Sequence, residues 1–117
     1  MAEQMSNRYL RRIYDEYNKK WFEGRLPRLP VQWGDSRTFT RREGRSTLAV
    51  TDYESGKPVG IRFAPRMRRY REHQLVRFTM LHELVHVEQP AHHADHGRCF
   101  NDRMKELANA GAFIGLW

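Results

Sequence analysis

Residues 75–89 read LVRFTMLHELVHVEQ, and they form the most apolar helical stretch of the chain. Apolar residues lie almost all the way round a helix drawn through these positions, which is typical of a helix buried at the centre of its domain. Pro90 cannot continue a helix, so we predict that this element starts near residues 69–72 and ends at about Gln89. His82, Glu83 and His86 lie on this buried helix, where a polar side chain without a partner is costly.

The rest of the sequence predicts an α+β fold of three helices and a small, three-stranded, mostly antiparallel sheet. Besides the buried helix, helices are predicted over residues 6–22 and 98–110, each with apolar residues three and four positions apart. Strands are predicted over residues 31–33, 46–51 and 59–63, with a turn over 55–58. Residues 37–45 are polar and basic, and we predict a loop or an irregular edge strand there.

Length and composition indicate a single folded domain. The chain has 117 residues, of which 39% are hydrophobic and 30% are charged. No apolar run approaches the roughly 20 residues that cross a bilayer. The N-terminus also lacks the apolar stretch of a secretory signal, so we expect a cytoplasmic protein with no membrane partner. The single cysteine, Cys99, excludes an intrachain disulfide and a cysteine-based zinc site.

Positive charge is the strongest bias in the composition. Lysine and arginine number 21 against 14 aspartates and glutamates, which gives a net charge of +7, and 17 of the 21 are arginine. Arginine forms forked contacts with phosphates, and arginines interleaved with aromatic residues also stack on single-stranded bases. Two groupings, residues 37–45 and 66–71, have this pattern, and they would also fit a solvated charged rim. The candidate nucleic-acid contacts are Arg41, Arg42, Arg66, Arg68, Arg69 and Arg71.

Residues 82–86 read HELVH, which is the H-E-x-x-H pattern. Residues four apart share one face of a helix, so the imidazoles of His82 and His86 can chelate one ion. Glu83 projects toward the edge of that face, where its carboxylate can hydrogen-bond a water on the metal without being a ligand. Zn²⁺ lowers the pKa of a bound water to about 7 and a carboxylate takes its proton, so the pattern predicts metal-assisted hydrolysis.

A catalytic zinc also needs a third protein ligand and an open fourth position. Three residues compete for the third place, and spacing alone leaves the choice open. His92 lies six residues beyond His86, but Gln89 stands where that ligand pattern needs a glycine. Glu106 lies twenty residues beyond His86, on the third predicted helix. His96 lies ten residues beyond His86, at the start of that helix.

Several further motifs accompany this pattern, and together they resemble the SprT-like zinc metallopeptidase domain, the Spartan-related family. The similar stretches are YNKKWF at residues 17–22 followed by Gly24 and Leu26-Pro27, VQW at 31–33, MLHELVH at 80–86 and HGRCF at 96–100. They extend over most of the chain, and their combination is far more specific than H-E-x-x-H alone.

The resemblance implies a minimal zincin-like fold in which His82, His86 and His96 bind Zn²⁺ and Glu83 is the catalytic acid and base. It also implies a protein substrate and an association with DNA, which in several members is the degradation of proteins crosslinked to DNA. We therefore expect DNA as a partner, single-stranded DNA being favoured, and a nucleoid-associated or nuclear location in that case. We expect residues 1–117 to be a single, monomeric domain, and a lone cysteine excludes the C-terminal zinc ribbon of many members.

The leading hypothesis is a zinc-dependent endopeptidase that cleaves DNA-associated or DNA-crosslinked proteins. A second hypothesis is a nucleic-acid-binding module with a structural zinc site, in which four protein ligands close the shell and Glu83 is replaceable. A third is a metal hydrolase that acts on bonds other than peptide bonds. For the peptidase, the donor that stabilises the oxyanion would be Tyr53, Tyr70 or Arg62, and the sequence does not choose among them.

Overall fold

The computed structural model describes residues 7–43, 47–68, 73–89 and 97–116. Its helices are α1 (Asn7–Trp21), α2 (Ser36–Glu43), α3 (His73–Glu88) and α4 (Arg98–Asn109), and a short 3₁₀ helix spans Pro65–Arg68. Its strands are β1 (Val31–Trp33), β2 (Ala49–Glu54) and β3 (Lys57–Phe63). The predicted α+β fold is confirmed, because the three predicted helices and the three predicted strands are all present. None of the described helices is long and apolar enough to cross a membrane.

The helix α3 passes through the core, as its sequence predicts. Its fully buried side chains, each 0% exposed, are Val76, Met80, Leu81, Leu84 and Val85. These positions point in several directions around the helix, so α3 is enclosed on more than one side. Its neighbours are α1, β2 and α4. Polar side chains along this length of α3 therefore lie inside the domain or at the edge of its core.

The sheet is mixed, with the strand order β1-β3-β2. β1 runs parallel to β3, whereas β2 and β3 form an antiparallel hairpin. The hairpin turn is Ser55-Gly56, whose φ angles of 52° and 79° fit a two-residue type I′ turn. The turn is therefore shorter than the predicted one, and β2 continues to Glu54. β2 forms one edge of the sheet.

The two faces of the sheet have different partners. Thr51 of β2 and Ile61 of β3 are cross-strand partners, so both side chains lie on the face toward α3. Arg62 lies on the opposite face, because successive side chains of a strand alternate. Its guanidinium donates hydrogen bonds to Asp52 (2.7 Å) and to Glu43 of α2 (3.0 Å). The sheet thus separates α3 from α2.

The helix α2 corrects the prediction of a loop or an irregular edge strand over residues 37–45. Asp35 caps the start of the helix, since its Oδ1 atom accepts the Arg37 N–H (2.9 Å). Phe39 is 1% exposed, and it lies so close to Gly34 that a Cβ there would be 2.6 Å from the Phe39 ring. One buried aromatic residue therefore anchors a helix whose charged composition gave little sign of it.

Candidate metal centre and active site

His82 and His86 lie one turn apart on α3, and their ring centroids are 5.0 Å apart. Phe100 of α4 packs against both rings, with its centroid 4.8 Å from that of His82 and 4.7 Å from that of His86. Phe100 is only 5% exposed, so the first turn of α4 covers one side of the imidazole pair. The structure thus brings together two of the predicted metal ligands and holds α4 beside them.

Gln89, which follows the last residue of α3, orients the His86 ring. Its Oε1 atom lies 3.2 Å from His86 Nδ1, and the Gln89 side chain is buried. With Oε1 facing Nδ1, the amide oxygen would accept a hydrogen carried by Nδ1, and Nε2 would then keep the lone pair that a metal ligand needs. Metal-binding histidines commonly donate their second ring N–H in this way.

Glu83 is the only buried acidic residue in the described part of the chain, and it is 3% exposed. The Thr51 hydroxyl on β2 donates a hydrogen bond to Glu83 Oε1 (2.7 Å). Burial raises the pKa of Glu83 to about 7, while the Thr51 hydrogen bond lowers it and the charge of Asp52 raises it further. One carboxyl oxygen is therefore fixed by the sheet, and the group exchanges its proton near neutral pH.

Tyr53 of β2 supports the same part of α3. Its hydroxyl donates a hydrogen bond to the main-chain oxygen of His86 (3.1 Å). Burial, followed by the charge of Glu83, raises the pKa of Tyr53 above its usual value, so the phenol is protonated at neutral pH. Of the other oxyanion candidates, Arg62 lies on the far face of the sheet, and Tyr70 lies outside the described residues.

An apolar cleft of about 320 Å³ lies beside Glu83. Its walls come from α3 and from the chain that leads into β2, and its lining residues are Leu48, Ala49, Leu75, Phe78, Thr79, His82 and Glu83. The cleft therefore includes two residues of the H-E-x-x-H pattern in its wall. A concave apolar site with a few polar groups at one end is typical of a substrate pocket.

The structure removes one of the three candidates for the third metal ligand. The Glu106 side chain is 68% exposed, and its carboxylate pairs with Arg103 at 3.1 Å. Across the described ranges, no three histidine, cysteine, aspartate or glutamate side chains form a group that could hold a metal. Glu106 therefore does not join His82 and His86. The remaining candidates, His92 and His96, lie outside the described residues.

The described parts of the two basic groupings lie on elements that touch. The helix α2, which carries Arg41, contacts the 3₁₀ helix, which carries Arg66 and Arg68. Arg41 and Arg68 are exposed, and the Arg68 guanidinium lies 5.8 Å from the centroid of the Trp33 ring. Arg66 instead donates a hydrogen bond to the main-chain oxygen of Thr47 (2.9 Å), so it fixes the chain that leads into β2. The other candidates, which are Arg69, Arg71 and the side chain of Arg42, lie outside the part of the chain that the structure describes.

Thr51 and Gln89 are site residues that the sequence analysis missed. Thr51 falls on the same face of β2 as Ala49, which lines the cleft, and strand alternation could have indicated this. Gln89 lies three residues after His86, at the spacing that brings helical side chains together, and this spacing could have indicated the contact. In the sequence, Gln89 was noted only because it stands where the His92 ligand pattern needs a glycine.

Comparison with known proteins identifies the family. Searches of curated proteins and of solved structures gave no match. The model of the SprT-like family matches residues 10–114, which is nearly the whole chain and includes α3 with both histidines. That family is associated with metallopeptidase-like domains and is generally zinc-dependent. The chain therefore belongs to the SprT-like family.

Proposed function

We propose that this chain is a zinc-dependent endopeptidase that cleaves DNA-associated or DNA-crosslinked proteins. One observation carries the proposal. Glu83 is 3% exposed, lines the cleft beside His82, and receives its described hydrogen bond from Thr51, which is a neutral donor. Burying a carboxyl group in this way is unfavourable for folding, and buried titratable groups in a cleft are candidates for catalysis.

The residues present fit a zinc ion. Imidazole nitrogen is a preferred zinc ligand, the rings of His82 and His86 lie on one turn of helix, and the Gln89 side chain lies within hydrogen-bond distance of His86 Nδ1. A zinc ion held there would supply Lewis acidity, by polarising a water and a peptide carbonyl. We therefore assign His82 and His86 as two of its ligands.

We assign the third ligand to His96. Glu106 is engaged with Arg103 in solvent, which leaves His92 and His96 of the three candidates. Gly97 directly follows His96 in the sequence and precedes α4, whose Phe100 packs on both ligand rings. This arrangement favours the histidine nearest to α4 over His92.

Glu83 acts as both base and acid in this proposal. Because the Thr51 hydroxyl engages Oε1, the other oxygen, Oε2, accepts a proton from the attacking water. The same oxygen then donates that proton to the leaving amine nitrogen. A carboxyl group ionises more readily beside a cation, so Glu83 is ready to act as a base when the site is loaded. Tyr53 is the oxyanion candidate on the α3 side of the sheet, and its single O–H, which donates to the His86 main-chain oxygen, would have to turn toward the oxyanion.

The edge strand β2 supports a peptide as the substrate. No described strand pairs with its outer edge. Unpaired main-chain groups at a sheet edge can pair with an extended peptide. Since β2 also carries Thr51, which contacts Glu83, a peptide bound along this strand passes close to the carboxyl group. This arrangement favours peptide-bond hydrolysis over the hydrolysis of other bonds.

Charge supports the DNA-related part of the proposal. The net charge is +7 at pH 7, and α2 contacts the 3₁₀ helix, so the described parts of the two basic groupings lie close together. Arg41 and Arg68 are exposed there, with Trp33 beneath Arg68. Exposed arginines near an aromatic ring suit phosphates and unstacked bases. We therefore propose single-stranded DNA as the tether that brings protein substrates to the site.

The test is cleavage of a DNA-binding protein by the zinc-loaded chain, with and without single-stranded DNA. Glu83→Gln protein, which keeps the shape of the side chain, sets the background. We expect cleavage that requires Glu83 and is stimulated by DNA. The Arg41→Ala/Arg68→Ala protein should lose the stimulation. Arg12→Ala/Arg28→Ala protein, which has the same change in charge at exposed positions elsewhere, should keep it.

Each result separates the hypotheses. Cleavage by Glu83→Gln protein at the wild-type rate would refute the mechanism. Cleavage that is indifferent to DNA would retain the peptidase and remove the DNA tether. Zinc held by four protein ligands, together with no cleavage under either condition, would favour the binding module with a structural zinc site.

A further inference from the structure

The cleft beside Glu83 extends beyond the catalytic groups. Leu75 and Glu83 both line it, and they are eight residues apart on α3. A helix rises about 1.5 Å per residue, so the cleft extends roughly 12 Å along α3 from the carboxyl group. An extended peptide advances about 3.3 Å per residue. Side chains within about three residues of the cut bond therefore reach the cleft.

The walls of the cleft are apolar even where a residue is polar. The Thr79 hydroxyl donates a hydrogen bond to the Leu75 main-chain oxygen within the helix (2.7 Å), so its polar atom is satisfied there. Phe78 forms another wall and packs against Phe113 at 5.1 Å between centroids, which holds its ring from behind. An apolar side chain needs no hydrogen-bond partner from these walls, so it can be buried there without cost. A charged side chain would lose its hydration in the cleft and would gain no polar contact from these walls.

The size of the cleft selects its occupant. A dry apolar cavity of roughly 150 Å³ accommodates a benzene ring. The cleft measures about 320 Å³, which is at the small end of the range for ligand sites. It therefore has room for one large apolar side chain with some margin, and it is too small for a folded segment. Ala49 contributes the smallest side chain of the lining, on the side of the cleft formed by β2.

We propose that this cleft is a specificity pocket that takes one large apolar side chain, such as Phe, Leu or Met, from a residue within three positions of the cut bond. The inference rests on the proposed peptidase function and adds a preference in the sequence of the substrate. His82 and Glu83 form one end of the cleft, so a peptide that is cut beside them places a neighbouring side chain in the cleft.

The experiment is a digest of an unfolded protein mixture by the zinc-loaded chain with single-stranded DNA present, followed by identification of the cut sites. We expect enrichment of large apolar residues at one fixed position within three residues of the cut. In peptides that differ only at that position, Phe should give a kcat/KM at least about tenfold above that of Gly. As a readout separate from cleavage, zinc-loaded Glu83→Gln protein should bind the Phe peptide at least about tenfold more tightly than the Gly peptide.

Two variants alter the volume of the cleft in opposite directions. Ala49→Leu fills the cleft and should shift the preference toward small residues. Leu75→Ala widens it and should shift the preference toward Trp. Ala108→Leu, the same substitution as the first but at an exposed position on α4, should leave the cleavage profile unchanged. Circular dichroism of each protein confirms that the variants are folded.

Failure of the pocket and failure of the peptidase give different results. Cuts that require Glu83 but show no apolar enrichment would overturn the pocket and leave the peptidase intact. A preference for Phe that persists in both Ala49→Leu and Leu75→Ala proteins would also overturn it. If Glu83-dependent cleavage were absent, the peptidase would fail, and equal binding of the Phe and Gly peptides would then overturn the pocket as well.

Discussion

The buried carboxyl group of Glu83 makes the stability of the metal-free chain dependent on pH in a predictable direction. The pKa of Glu83 rises from its usual 4.5 to about 7 on folding, with burial as the main cause. A change of one in pKa corresponds to about 1.4 kcal/mol. Ionising Glu83 in the folded, metal-free chain therefore costs roughly 3 kcal/mol, and Glu83→Gln protein is spared this cost.

The sign follows from proton binding. The folded chain holds the Glu83 proton more tightly than the unfolded chain does, so its stability falls as pH rises. The stabilising contribution is fully present below about pH 4.5 and is lost as the pH rises through about 7. The free energy of unfolding of Glu83→Gln protein minus that of wild type should therefore increase with pH. Between pH 4.5 and pH 8 this difference should rise by roughly 3 kcal/mol.

Urea unfolding of chelator-treated protein, followed by tryptophan fluorescence, measures this difference. Wild type and Glu83→Gln are compared at each pH, so contributions from titratable groups distant from Glu83 cancel. Gln at position 83 can still accept the Thr51 hydrogen bond, which isolates the effect of charge. Parallel pH profiles for the two proteins would refute the argument that burial raises the pKa of Glu83.

Three further predictions test the groups around the candidate metal site. Thr51→Val should lower kcat about ten- to a hundredfold and move the acid limb of the pH–rate profile to higher pH, because the hydrogen bond from Thr51 lowers the pKa of Glu83. Thr51→Ser should restore both the rate and the profile. An unchanged profile in Thr51→Val protein would leave Thr51 with a structural role only. Gln89→Leu should weaken zinc binding about 10- to 100-fold in competition with a chromogenic chelator, while Gln89→Glu retains it; equal affinities would show that Gln89 does not orient His86. His96→Ala should abolish zinc binding in metal analysis while His92→Ala retains it, and the reverse result would move the third ligand to His92.

The helices that carry the site were predictable because their apolar patterns are strong. Residues 75–89 combine high apolar content with a terminating proline, and the structure gives α3 over His73–Glu88. Because His82 and His86 are four residues apart on one helix, their side chains lie on the same helix face whatever the rest of the fold is. The family resemblance carried the remaining assignments, since the roles of the ligands are not encoded in periodicity.

The features that sequence reasoning missed depend on contacts between distant parts of the chain. The helix α2 buries one aromatic ring, Phe39, against Gly34, and Glu43 near its end accepts a hydrogen bond from Arg62 of β3. Thr51 gains its role only because the hairpin places it opposite Glu83, 32 positions away in sequence. The parallel pairing of β1 with β3 depends likewise on a long connection that includes α2 and β2. Local propensity contains little information on any of these contacts.

The position of Glu83 is an argument for function that is independent of the family. A carboxyl group there costs roughly 3 kcal/mol when it ionises at neutral pH in the metal-free chain. Complete burial of one aliphatic side chain contributes about 1.5–3 kcal/mol, and Ile61, Leu81 and Leu84 are each 0% exposed. The surrounding core can therefore offset the cost, but it gains nothing from the carboxyl group itself. An apolar or amide side chain would serve folding better, so the carboxylate is explained by what it does beside the two histidines and the cleft.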